Sequence, residues 1–77
     1  MAQIYRSTIV EVFKTSILYQ QQANQVLELL TREYPAFRIN MDLSDCDKIL
    51  RVEGNHVRPE KIIELVASRG YECYVLE

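Results

Sequence analysis

Hydrophobic and polar positions change period several times along this chain, and each change marks an element. Ile9 to Phe13 is β-branched and aromatic around one charge, Glu11, which predicts a strand buried on at least one face and ending near Lys14. From Leu18 to Tyr34 the apolar residues Ala23, Val26, Leu27, Leu30 and Tyr34 recur at spacings of three and four, with polar residues between them. That spacing predicts an amphipathic helix. Pro35 ends it, because proline disfavours helical geometry in the residue before it and has no N–H to continue the ladder. Phe37, Ile39, Met41 and Leu43 then alternate with Arg38, Asn40, Asp42 and Ser44, the pattern of a strand with one face in the core and one in water. Ser44 to Asp47 supplies a turn, Ile49 to Val52 a third strand, and Gly54-Asn55 its end. Pro59 and Glu60 open a second helix, with Ile62, Ile63 and Val66 facing inward, and Arg69-Gly70 closes it. Tyr71 to Leu76 reads as the fourth strand.

The order strand, helix, strand, strand, helix, strand predicts an α+β domain. Both crossovers are long enough to hold a helix, and right-handed crossovers give four antiparallel strands in spatial order 4-1-3-2 with both helices on one face. This is the ferredoxin-like open-faced sandwich, βαββαβ, which hosts many unrelated activities. With 77 residues, 48% hydrophobic and 26% charged, the chain is read as one globular domain, residues 1–77, in which residues 1–7 form a flexible or covering N-terminal segment. A net charge of -2 offers no basic footprint for a phosphate backbone, so nucleic acid is not expected as a partner. No apolar run approaches the roughly 20 residues of a membrane span, and no secretion signal precedes Ile9, which predicts a cytoplasmic protein without membrane partners. Cys46 and Cys73 stand in no short motif and fall on opposite edges of the expected sheet, so reduced thiols are expected rather than a disulfide.

A more specific likeness runs from Ile17 to Tyr71. Val26 and Leu30 on the first helix, Phe37-x-Ile39-x-Met41-x-Leu43, Leu50-x-Val52 and Gly70-Tyr71 together resemble a heavy-metal-associated domain of the copper-chaperone and mercury-binding type, and Ile17 falls where that family carries a core methionine. Members of that family carry Gly-Met-x-Cys-x-x-Cys where this chain reads Ser16 to Gln22, so the resemblance places Tyr19 and Gln22 at the two metal-binding cysteines. Neither a phenol nor a neutral amide replaces a thiolate toward a soft metal. The resemblance therefore implies the fold together with a degenerate site, and no metal or other cofactor is expected there. Ile17, Gly70 and Tyr71 become structural residues of the loop region, with Tyr19 expected to pack beside Tyr71 over the former site.

Other chemistry is sparse. His56 follows the third strand, at the end opposite Tyr19, and reads as a lone surface histidine. Asp42, Asp45 and Asp47 form an acidic turn that lacks the glycine and closing glutamate of a calcium loop. There is no Cys-His or Ser-His pair on converging elements and no glycine-rich phosphate loop, so no enzyme is expected. Cys73 is read as a core residue and Cys46 as the more exposed thiol.

Strand parity sets one surface expectation. With Val10, Val12, Leu50, Val52, Cys73 and Val75 beneath the helices, Ile9, Phe13, Ile49, Tyr74 and Leu76 would turn to the open face and form an apolar patch. Ile4 and Tyr5 of the N-terminal segment are an alternative cover for it. Two functions follow: a non-catalytic interaction module acting through a protein partner or a homodimer, and a metal-handling protein with a displaced site built on Cys46 of two chains, joined by Met41 or His56. An RNA-binding sheet ranks behind both, because the open face lacks paired aromatics and basic residues.

Overall fold

The computed structural model of the chain describes residues 8–76. Six elements follow one another: β1 (Ile9–Thr15), α1 (Gln20–Glu33), β2 (Arg38–Asp42), β3 (Ile49–Gly54), α2 (Pro59–Ala67) and β4 (Cys73–Val75). One four-stranded sheet has the order β2-β3-β1-β4, every pair antiparallel, which is the expected order read from its other edge. The fold is α+β and ferredoxin-like. Residues 1–7, including Ile4 and Tyr5, lie outside the described residues.

Each helix presents its apolar stripe to one face of the sheet. Ala23, Val26 and Leu30 of α1 and Ile62 and Val66 of α2 are buried against Phe13, Leu50, Val52 and Cys73, with Ile17 and Val57 completing the cluster. The end of α2 shows how local chemistry sets a boundary. Gly70 has a φ of 90°, its N–H donates to Ala67 O at 2.8 Å, and the Tyr71 N–H donates to Val66 O at 3.4 Å. This is a Schellman closure, in which a left-handed residue, most easily glycine, lets the chain satisfy two terminal carbonyls. Tyr71 packs against the core beside Val66, the apolar contact that accompanies the motif.

At the other end of the sheet, Phe37 lies over Gly54. A Cβ on Gly54 would fall inside the Phe37 ring, so only glycine lets that ring settle on β3. Phe37 also stacks on Tyr34, with ring centroids 4.7 Å apart and planes 5° from parallel.

The register corrects the expected parity of β1. Phe13 stands opposite Leu50 and Val75, and Glu11 opposite Val52, so the odd positions of β1 face the helices. Residues directly opposite in an antiparallel pair share a face. Phe13 is therefore a core residue with no exposed surface, and not part of the open face. Val10 and Val12 turn to the open side instead. The continuation of the chain fixes this phase: Phe13, Thr15 and Ile17 are all buried, and a period of two links them.

Candidate functional site

The segment Ser16–Tyr19 joins β1 to α1 and is closed by hydrogen bonds from three directions. Ser16 N–H donates to Glu72 O at 3.1 Å while Ser16 Oγ accepts the Glu72 N–H at 2.8 Å, which carries the β1–β4 ladder past Thr15. The buried Thr15 hydroxyl donates to Lys48 O at 2.7 Å and accepts the Ile17 N–H at 3.2 Å. Gln22 Oε1 turns back to accept the N–H groups of Leu18 at 3.1 Å and Tyr19 at 3.2 Å. A glutamine at the third helical position caps the chain in this way, and it satisfies donors that a helix start otherwise leaves to water. Every buried side-chain nitrogen or oxygen among the described residues has a partner.

Tyr19 does not close over this region. It is the residue before α1, with φ -119° and ψ 149°, and its side chain is 65% exposed. The expected packing against Tyr71 is absent. Ile17 already fills the space beneath the loop, and Gln22 occupies the inner side of the turn, so an extended Tyr19 projects outward. Leu18 beside it is exposed as well. The Gln22 cap had one legible sign, an amide three residues after the helix boundary; the Ser16–Glu72 bridge links residues 56 apart and had none.

The two cysteines are free and differ sharply. Cys73 is buried, and burial pushes its thiol up to about 12, so it is protonated at neutral pH and unsuited to bind metal. Cys46 is exposed in the β2–β3 turn, where its sulfur and the carboxylates of Asp45 and Asp47 lie within 4.8 Å of one another. That turn is held by its own bonds: Asp47 N–H to Asp45 Oδ1 at 2.8 Å, Lys48 N–H to Asp45 O at 3.0 Å, and Lys48 Nζ to Leu43 O at 2.8 Å. Met41 lies on the helix side of β2, opposite Leu50. His56 is exposed at the far end of the sheet, in an open groove of about 440 Å³ shared with Phe37, Arg38, Glu53 and Gly54. One chain therefore cannot bring Cys46 and His56 together.

The remaining feature is a surface. Seven large hydrophobic residues are exposed among the described residues, and five of them, Ile9, Val10, Tyr74, Val75 and Leu76, gather where β1 begins and β4 ends. Leu76 N–H donates to Val12 O at 2.8 Å, so Leu76 stands beside Val12 on the open face with Tyr74 and Val10. Ile9 and Val75 lie on the helix side of the same corner, beyond the reach of the helices. The expected patch is thus corrected at three residues. Phe13 is in the core, Ile49 keeps the open-face parity but is only 5% exposed, and Ile9 belongs to the opposite face. Val10 and Val12 take their places. No helix among the described residues is long and apolar enough to cross a membrane. No family model, curated protein or solved structure was found to match the chain.

Proposed function

We propose that this chain is a non-catalytic interaction module: a heavy-metal-associated type of scaffold that has lost its thiolate site and works through contact with protein. The observation that carries the reading is the gathering of five exposed large hydrophobics at the β1–β4 corner, since monomers seldom leave contiguous apolar surface without a use. The loop supports it from the other side. Gln22 and Ser16, at positions where the likeness calls for a metal-binding cysteine and a glycine, are engaged in closing the chain upon itself. Tyr74 is the single aromatic residue of the corner, and one ring, with only Lys14 directly opposite it on β1, is a poor platform for stacked bases. Free thiols, one of them deeply buried, suit a reducing compartment such as the cytoplasm.

A second reading, metal handling through Cys46, is favoured by the proximity of Asp45, Cys46 and Asp47. Its weakness is chemical. Two carboxylates suit hard cations and one thiolate a soft one, so the set serves neither class well. Competition against a chromogenic chelator with Cu(I), Zn(II) and Hg(II) separates the two readings. The module binds no more tightly than isolated thiols do, and Cys46→Ser abolishes what remains. Tight one-to-one binding, whether lost with Cys46 or surviving replacement of both cysteines by serine, overturns the proposal.

A further inference from the structure

Hydrogen-bond direction along β1 exposes a gap in the sheet. Thr15 N–H donates toward β3, to Lys48 O, whereas Val12 O and Ser16 N–H bond toward β4. Successive residues of a strand aim their backbone groups to alternate sides, so the even-numbered positions of β1 face the β4 edge. β4 pairs only with Phe13, Lys14 and Thr15, and Leu76 adds the bond to Val12. Among the described residues nothing pairs with Val10 on that side. Its N–H and C=O thus meet no partner among the described residues, at the corner where Ile9, Val10, Val75 and Leu76 are exposed.

Two separate features therefore coincide: an unpaired stretch of strand edge and apolar side chains on both of its faces. An extended strand fits that combination, because its backbone completes the ladder while its alternate side chains cover Val10 and Leu76 on one face and Ile9 and Val75 on the other. The edge also lacks the usual deterrents. Between Thr8 and Phe13 the one charged residue is Glu11, which faces the helix side, and there is neither lysine nor proline.

Resting on the reading of the chain as an interaction module, we infer that the strand docking here is β1 of a second copy, antiparallel about a two-fold axis in the stretch Thr8–Val10. Self-pairing satisfies the geometry without any further chemistry. At outward-facing positions an antiparallel pair exchanges both hydrogen bonds, so each copy's open donor and acceptor meet those of the other. No like charge on the open face of this stretch opposes its own image, and two-fold contacts are the commonest in homo-oligomers. The product is one sheet continued across two chains.

Sedimentation of the full chain from micromolar to hundreds of micromolar concentration tests this. The wild type should populate a dimer. Val10→Pro, which removes an N–H that no described residue accepts, should weaken it by about tenfold or more, the scale of losing one edge hydrogen-bond pair. Circular dichroism confirms that the variant folds; if it does not, Val10→Lys, which keeps the N–H and adds a charge at the edge, replaces it with the same expected loss. A wild type that stays monomeric overturns the inference and leaves the corner to a different protein, with the interaction-module reading intact. A dimer that Tyr74→Lys abolishes and Val10→Pro leaves unchanged is a face-to-face stack and also overturns it.

Discussion

The two edges of the sheet are built on opposite principles. β2 alternates along its length, with Arg38, Asn40 and Asp42 on the open face and Ile39 and Met41 half-buried against the core. Its end is tied by Asp42, whose Oδ1 accepts both the Ser44 hydroxyl at 2.6 Å and the Ser44 N–H at 3.0 Å. β4 has three residues, two of them exposed and apolar, and among the described residues it leaves the start of β1 unpaired on that side. Charge and a turn guard the first edge; the second offers apolar side chains and open backbone. On the proposed reading, such a difference within a 77-residue chain separates an edge kept apart from one that meets a partner strand.

Substitutions at four places break or sharpen this contrast. The largest effect is expected at Phe13, which neighbours Val12 of the exposed corner yet is wholly buried: Phe13→Ala should cost about 3 to 5 kcal/mol, against about 1 kcal/mol or less for Val10→Ala. Urea unfolding of the two variants checks the parity of β1, and equal, small effects would place Phe13 on the open face after all. On the guarded side, Gly54→Ala forces Phe37 off β3 and should cost about 1 to 3 kcal/mol. Much of that loss should vanish in a Phe37→Leu background, since the two residues share one contact.

Smaller changes are expected in the loop that anchors the short edge strand. Ser16→Ala and Gln22→Ala should each lower stability by about 1 kcal/mol, whereas Tyr19→Ala should stay within about 0.5 kcal/mol. Thermal melting of the three variants decides it, and a Tyr19 effect larger than that of Gln22 would mean that the phenol packs inward. The smallest effect belongs to the guarded edge. The Ser44 hydroxyl, then the Ser44 N–H, hold the Asp42 carboxyl below its usual range. Because the folded value is depressed, the stabilisation is present above the ordinary carboxylate pKa and fades as pH falls through the folded value. Asp42→Asn should therefore lower stability slightly at neutral pH, leave the acid end nearly unchanged and so flatten the acid side of the profile, as urea unfolding across pH would show.

Much of the architecture was legible because its signals are local. The alternation from Phe37 to Leu43, the stripe Ala23–Val26–Leu30 and the stop at Gly70 each reflect one period or one backbone conformation. The phase of β1 was not legible from Ile9 to Phe13 alone, where apolar residues occupy both parities around Glu11. The chain beyond the strand held the answer, since Ile17 in the core fixes Thr15 and Phe13 by steps of two. The outward turn of Tyr19 depends on Gln22 folding back, and the uncovered edge depends on where β4 stops. Both are set by contacts between distant segments, such as Ser16 with Glu72.

Amide hydrogen exchange at the two edges, followed against protein concentration, tests the contrast most directly. By the alternation of the ladders, Val10 on β1 and Ile39 and Met41 on β2 all point their N–H groups away from the sheet. The Val10 amide should exchange rapidly in dilute protein and become protected as concentration rises, while those of Ile39 and Met41 exchange at the same rate throughout. Val10 exchange that is fast at every concentration, or protection that grows first at Ile39 and Met41, would contradict the assignment of the β1–β4 corner as the interacting edge.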